Sequence, residues 1–534
     1  MKSTSIILFL SLWLNTVVNA QVTGNAFLTN NSDIVSLASN STLSPVSLQS
    51  GSIEYVTGSV SGVWQDTITY IVDGDIVINQ GDLLVIKPGT QIKFNGFYNF
   101  QIKGQLSAIG NNANPIVITS NKTNPSHEDW GLINFTNTVN NFSILSYCII
   151  KYGTSIKCDH SNPVISNNII KHTGENALWL IASSAEISHN VISDFEHIGI
   201  FANLGNALII DSNELYGNRA SSSNFGLYVD GGNCIIRNNN IHDIAEDYHL
   251  SSTGIYVKSG TGEDIKFYNN IVNSCRVGID IRGAIGESEV SVYNNTIYAI
   301  FSAGIVLSNA NLVTIKNNII TGNDVGIRGA TNQTNNPLEL TYNLLSNSNN
   351  FVNIGKVGIG NIVTTNSNGT ASDTYYNIFT DPLVINSTSD LSLSSNSPCI
   401  DAGDNTLLPI VNDIVGNARI WDGNNNGTAT VDIGAYEFGS INTSIKEQGV
   451  DNFEIQLFPN PNNGQFTIKL ENTIFEMVDI TIYSTIGGIV YTERINSIEL
   501  SKGKEIFLDK LSTGIYYMTI NCNNKVYYQK VIIE

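Results

Sequence analysis

Charge is scarce in this sequence, and positive charge is the scarcer sign. Only 13% of the residues are charged, and 26 Lys and Arg face 46 Asp and Glu, for a net charge of −20. Nucleic-acid binders carry basic faces, so this balance excludes that class. It also opposes a strongly anionic ligand unless basic side chains cluster locally. Proline is scarce too, with 11 residues in 534. Beyond the N-terminus no stretch offers the ~20 apolar residues that a membrane helix needs. Cysteine is limited to Cys148, Cys158, Cys234, Cys275, Cys399 and Cys522, at irregular spacing that matches no metal-binding pattern. They read as buried thiols of a core; an exported chain permits disulfides, but the spacing does not choose among pairings.

The N-terminus does carry an export signature. Lys2 is a positive start, "IILFLSLWL" an apolar core too short to span a bilayer, and "VNA" ending at Ala20 a small-residue cleavage site. Residues 1–20 therefore read as a secretory signal, and the mature chain as exported and soluble from about Gln21. Residues 21–58, rich in Ser, Thr and Asn, read as a leader or N-terminal cap.

Two phrases then recur in step. One is a polar pair, usually ending in Asn, before an apolar residue: Asn168, Asn190, Asn213, Asn240, Asn270, Asn295, Asn318 and Asn343 mark it at intervals of 22–30 residues. The other is Gly-apolar-x-apolar: "GIFAN", "GLYVD", "GIYVK", "GIDIR", "GIVLS". The apolar runs are short, β-branched and broken by Gly and Asn, so they are strands and not amphipathic helices. A leucine-rich repeat lacks its Leu scaffold here. The period predicts an all-β right-handed parallel β-helix, a solenoid with three short strands per rung and rungs ~4.8 Å apart. Inward-facing turn asparagines should hydrogen-bond from rung to rung. Ile200, Leu227, Ile255, Ile279, Ile305 and Ile327 should point into the core. The solenoid is placed at residues 59–396.

Two later segments resemble known modules. "SPCIDAGD" and "VDIGAYE" bound residues 397–438, which resemble the closing module after β-helices of exported bacterial proteins and should cap the last rung. Within it, Asp422, Asn424 and Asn426 alternate oxygen ligands before Gly427. They read either as a hydrogen-bonded turn or as a calcium site; the EF-hand glutamate is missing, its place being Ile433. No other cofactor is expected. After a linker at 439–452, residues 453–534 show alternating strands with Gly turns, a small β-sandwich. "PNPNNGQFTI", "LSTGIYYMTI" and "KVIIE" resemble the C-terminal sorting domain of type IX secretion. That resemblance implies a Bacteroidota-type cell, passage through the periplasm, the type IX machinery as partner, and release or surface anchoring.

Chemistry is sought on the outward columns of the Gly-apolar strands. The first column reads Trp179, Phe201, Tyr228, Tyr256, Asp280; the second reads Ile181, Asn203, Asp230, Lys258, Arg282. A sugar ring offers an apolar face to aromatics, and one pyranose matches a rung, so the stripe suits a polysaccharide running along the solenoid. Aromatics stacked on parallel strands also stabilise one another, which is the competing explanation. The two longest intervals, on either side of Asn240, insert loops here that bring Asp247 and His249 toward the columns. Lys258–Ser259 followed one rung on by Arg282–Gly283 resembles the lysine–arginine pair of β-helical alginate and chondroitin lyases. The resemblance implies Lys258 as proton acceptor and Arg282 as charge stabiliser; the expected carboxylate calcium ligands are replaced by Ser251 and Thr253. Asp230, Asp247 and Asp280 could instead serve as a glycosidase carboxylate pair. The bland alternative is two surface ion pairs, Asp230–Lys258 and Asp280–Arg282. Arg276, Lys258 and Arg282 form the one local basic patch.

The sequence thus reads as an exported monomer that binds, and by extension cleaves, an extracellular polysaccharide. The competing class is a non-catalytic surface or adhesion protein.

Overall fold

The asparagine doublets arise because each rung corner asks two different things of two successive residues. The first must enter the left-handed region, which Asn tolerates better than most residues: Asn167, Asn238, Asn269, Asn294 and Asn317 have φ of 57°, 55°, 52°, 53° and 58°. The second turns its amide into the core. Asn168, Asn190, Asn213, Asn239, Asn270, Asn295, Asn318 and Asn343 are all 2% exposed or less. The backbone N–H of each donates to Oδ1 of the next at 2.8–3.0 Å. The side-chain Nδ2 donates to the same oxygen at 2.9–3.1 Å. The stack ends on Asn377.

The sequence reading placed Asn240 in this column. The structure puts Asn239 there, because the inward residue lies two positions after the stacked Asn, and in "NNNI" that residue is Ile241.

The computed structural model describes residues 52–440 and 454–533, except 137–142, 218–223, 245–251, 284–287, 299, 311, 331–338, 388, 407–411, 461, 472–476, 485–488, 497–499, 501, 509–510 and 523–524. The signal segment, and all of the leader but its last few residues, lie outside the described residues. From Ser52 the chain winds through three ladders of parallel strands. Sheet A follows the asparagine corner, as in Ile169–Thr173, Val191–Phe195 and Ile271–Asn273. Sheet B holds the Gly-apolar strands, such as Leu178–Ile181, Ser252–Lys258 and Val277–Arg282. Sheet C closes each rung, as in Glu186–Ser188, Asp264–Tyr268 and Glu289–Tyr293. The solenoid starts earlier than expected, since Ser52–Ser59 already pairs in parallel with Ile68–Ile78. Its last parallel strand is Asn349–Val352.

The solenoid core is one continuous cluster, mostly aliphatic, with Phe94, Phe100, Trp130, Phe135, Phe195 and Phe267 among its largest buried side chains. Ile200, Leu227, Ile255, Ile279, Ile305 and Ile327 are fully buried, as expected. The glycine before each has a steric reason: a Cβ on Gly199, Gly226, Gly254, Gly278 or Gly304 would lie 2.5–2.9 Å from the carbonyl oxygen of the equivalent glycine one rung on. Cys148, Cys158, Cys234, Cys275 and Cys399 are buried free thiols. Burial raises their pKa, that of Cys234 and Cys275 to about 12.

The closing module, expected to cap the last rung, reaches it and extends beyond it: Cys399, Ile400, Ala402 and Ile433 share a buried cluster with Leu344 of that rung, with Ile319 one rung earlier and with Ile378. The end of the stack is met by Asn377, whose Oδ1 accepts from Asn343 N at 3.0 Å, and by Ile378, whose N donates to the Asn343 carbonyl and whose carbonyl accepts from Leu345 N, both at 2.8 Å. The described residues of 397–438 also run back along the corner between sheets C and A. Asn269 Nδ2 donates to the Asn412 carbonyl at 2.8 Å, and Asn294 Nδ2 to the Asp432 carbonyl at 3.1 Å. Ala435 N donates to Thr296 Oγ1 at 3.0 Å, and Lys316 pairs with Asp404 at 2.6 Å. The recurrent words of the module are its clasp. Asp432 accepts from Asp401 N at 2.7 Å and Phe438 N at 2.6 Å, and Asp401 accepts from Asn424 N at 2.7 Å.

Separately, residues 454–533 form two antiparallel sheets, one with Glu454–Phe458, Gln465–Glu471 and Lys504–Phe507, the other with Met477–Ser484, Ile489–Asn496, Gly514–Cys522 and Lys525–Ile533. They share one core around Ile468, Ile480, Ile506 and Met518, the expected β-sandwich.

The one-residue register at "NNNI" is open to a direct test. Asn239→Leu leaves the Asn213 N–H without its buried acceptor and should cost about 1–3 kcal/mol in urea unfolding. Asn240→Leu, one position on and outside the stack, should cost under about 1 kcal/mol. Equal losses would contradict the register.

Candidate functional site

Strand pairing fixes the outward columns of sheet B. Trp179 lies opposite Phe201, Phe201 opposite Tyr228, Tyr228 opposite Tyr256, and Tyr256 opposite Asp280. In the second column Asn203 faces Asp230, Asp230 faces Lys258, and Lys258 faces Arg282. Both columns read from the sequence are therefore real. One rung before Trp179 stands Lys157, whose ammonium lies 5.1 Å from the Trp179 ring centre.

The rings pack unevenly along the stripe. Trp179 and Phe201 are 6.4 Å apart and edge-on; Phe201 and Tyr228 are 5.3 Å apart; Tyr228 and Tyr256 close to 4.5 Å. Phe225 meets both tyrosines edge-on at 5.1 and 5.2 Å. It was missed in the sequence, although it sits two residues before Leu227 on the same strand. All five rings are half-buried, so they support one another and still present ring surface. Burial, with Tyr256 and Asp230 close by, pushes the Tyr228 phenol up to about 12.

The polar end is a pair of cations in unlike settings. Lys258 is exposed and pairs with Asp230 at 3.2 Å. Arg282 clamps Asp280 with Nε at 3.2 Å and Nη2 at 2.8 Å, and its guanidinium lies 5.2 Å from the Tyr256 ring centre. Asp280 is only 5% exposed, so the arginine is fixed to a buried carboxylate, which raises its pKa. Both ion pairs of the bland alternative are present. Lys258 and Arg282 also line one recess of about 460 Å³, with Tyr256, Gly260, Ser308 and Asn309. A larger hollow of about 740 Å³ opens at the other end of these strands, lined by Asp243, Cys275, Phe301, Asn323 and Asp324 and by no basic side chain.

Other expected residues fall elsewhere. Asp247 and His249 lie outside the described residues. Arg276 precedes the strand Val277–Arg282, roughly 20 Å of extended chain from Arg282, so it does not join the basic patch. Asp422 accepts from Asn426 N and Gly427 N at 2.9 Å, Asn424 Oδ1 from Asn426 N at 3.0 Å, and Asn426 Oδ1 from Thr428 N at 2.8 Å. These are the bonds of the turn reading.

Comparison with known families agrees with this architecture. Residues 131–286 match the family model of a right handed beta helix region, and residues 56–174 that of a pectate-lyase like beta helix domain. Residues 456–534 match that of a secretion system C-terminal sorting domain. The chain is a right-handed β-helix with a type IX sorting domain. No curated protein matches it. Among solved structures, the A-module of mannuronan C-5 epimerase AlgE6 from Azotobacter vinelandii is 15% identical, covering 57% of this chain and 87% of that one, with a TM-score of 0.28. The PL6 family alginate lyase AlyGC is 13% identical, with a TM-score of 0.26, and the match covers 63% of this chain and 57% of that one.

The two cations should separate in stability measurements. Arg282→Ala strands a buried carboxylate and should lower unfolding stability by about 1–3 kcal/mol. Lys258→Ala removes an exposed pair and should change it by under about 1 kcal/mol. The same loss for both would show that Asp280 does not depend on Arg282.

Proposed function

We propose that this protein is delivered outside the cell and binds an acidic polysaccharide along the outward face of sheet B. The observation that carries this reading is the continuity of two features in one register. Four aromatic side chains on successive rungs run directly into a recess lined by Lys258 and Arg282. Rungs recur at ~4.8 Å, close to one sugar unit, so each ring can meet one sugar face. The recess supplies cationic donors for a uronate carboxylate, and Arg282 can bond it in a fixed orientation. The match of residues 56–174 to a pectate-lyase like domain model supports a carbohydrate-active role.

A catalytic extension is favoured by one further fact: the lysine and the arginine are paired neighbours on adjacent strands. In a β-elimination Lys258 first gives its ammonium proton to solvent, and the resulting amine takes the proton alpha to the carboxyl group while Arg282 holds the carboxylate. The bond to the leaving oxygen breaks, a carbon–carbon double bond forms, and the departing alkoxide takes up a proton from water.

A panel of polysaccharides separates the readings. A lyase produces the ultraviolet absorbance of an unsaturated uronate, a hydrolase only new reducing ends, and a binding protein neither. Under the proposal Tyr228→Ala and Phe201→Ala each weaken polysaccharide binding about tenfold, the equivalent of ~1–1.5 kcal/mol of ring contact. If elimination occurs, Lys258→Ala abolishes it while unfolding stability changes by under about 1 kcal/mol. Binding unaffected by both aromatic substitutions would overturn the proposal.

Export adds a second check. Passage through the periplasm is proposed from the sorting domain, and deletion of residues 453–534 should leave the remaining chain inside the outer membrane of its host. Normal surface delivery of the truncated chain would reject that route.

A further inference from the structure

We propose that His127, His172 and Asp194 form a binding site for a divalent cation of the zinc class, at the corner between sheets A and B. The sequence singles out none of the three, and the site is independent of the polysaccharide reading.

Two of the ligands are stacked by the solenoid itself. Lys171 pairs with Ser193 and Thr173 with Phe195, so His172 stands over Asp194 in equivalent positions of adjacent rungs. Both take the left-handed conformation, with φ of 58° and 54°, where the next rung has Gly217 at 70°. Both side chains therefore leave the same corner, one rung spacing apart. The third ligand arrives on the loop between Ile116–Ser120 and Trp130–Thr136. That loop is pinned by Asp129, which is 5% exposed and accepts from Lys122 Nζ at 2.6 Å and from Ser126 N and Oγ at 3.0 Å.

The donor atoms converge. One from each residue lies within 4.8 Å of the others. Asp194 Oδ1 is 3.5 Å from His127 Nε2, and Asp194 Oδ2 is hydrogen-bonded to His172 Nδ1. Ligands on a tetrahedral zinc at 2.0–2.1 Å stand roughly 3.4 Å apart, so small rotations suffice. Tyr152 stacks on the His172 ring at 4.8 Å and 7°, which fixes its plane. Two imidazoles and a carboxylate suit zinc, copper, nickel or iron, whereas calcium and magnesium take oxygen cages. The three side chains are 22–28% exposed, which leaves room for water as a fourth ligand.

The experiment uses the full chain, stripped with a chelator and titrated with zinc alone by calorimetry. One zinc per chain is expected. Cobalt(II) in its place should give the visible absorption of a four- or five-coordinate nitrogen–oxygen site. His127→Gln and His172→Gln should each weaken zinc binding at least tenfold, and His160→Gln, elsewhere on the solenoid, should leave it unchanged. His127 lies on a loop, so its variant keeps the test valid if the His172 variant misfolds; equal unfolding midpoints without zinc confirm this. Absence of stoichiometric uptake, or unchanged affinity in His127→Gln, would overturn the proposal.

Discussion

The asparagine stack is the constraint on which everything else in the solenoid depends. One amide oxygen per rung accepts two donors from the rung before it, while Nδ2 of Asn168, Asn190, Asn213 and Asn270 also reaches a core carbonyl at 2.8–2.9 Å. A corner that bends inward would otherwise bury unpaired backbone groups. Because each Asn is both donor and acceptor, the stack propagates without an end until another kind of residue stops it. Here Asn377 turns to the Asp373 carboxylate at 3.0 Å. The stack also sets the phase of every strand. A slip of one residue at a corner would turn the inward column of sheet B outward, so the corner is what aligns Tyr228 with Tyr256 and Lys258 with Arg282.

Fixing the corner frees the rest of the rung. The spacing from Asn213 to Asn239 is 26 residues and from Asn239 to Asn270 is 31, against 22 between Asn168 and Asn190, yet the amide contacts are the same length. Extra residues between corners therefore leave the stack itself unchanged. The longest intervals fall at the rungs that carry Tyr228 and Tyr256. On another side, the closing module occupies the corner between sheets C and A, using Asn269, Asn294 and Asn317, the left-handed members of the doublets. One doublet thus serves two masters: its second residue holds the core and its first receives the flank.

How much of this was legible follows from locality. The Gly-apolar phrase gave both outward columns without error, since period two and a fixed corner determine them. "NNNI" was misread by one position because three asparagines in a row leave the phase to Ile241, whose burial decides it. The fold-back of the closing module was hidden: Asn269 and Asn412 are 143 residues apart, and no pattern links them. The His127, His172 and Asp194 cluster was hidden for a related reason. His172 and Asp194 share the rung interval of the Asn column, a signal available in principle, but His127 joins them only through a loop whose path depends on the buried Asp129.

The charge balance, which speaks against an anionic ligand, looks different at the scale of two rungs. The net charge of −20 is spread over the whole chain, and at physiological salt a charge more than ~8 Å away is largely screened. What an arriving carboxylate meets is local. Among the described residues the Lys258 ammonium pairs with Asp230, and an exposed pair is worth ~0–1 kcal/mol, so the ammonium can exchange partners at little cost. Arg282 cannot, because releasing Asp280 would leave a buried carboxylate unpaired. It spends Nε and Nη2 on Asp280, and its remaining nitrogen, Nη1, forms no part of that clamp. The recess therefore pairs a mobile cation with a stationary one. For the proposed function this division matters more than total charge. The stationary guanidinium orients a carboxylate over Tyr256, and the mobile ammonium is the group able to leave its partner and approach the sugar.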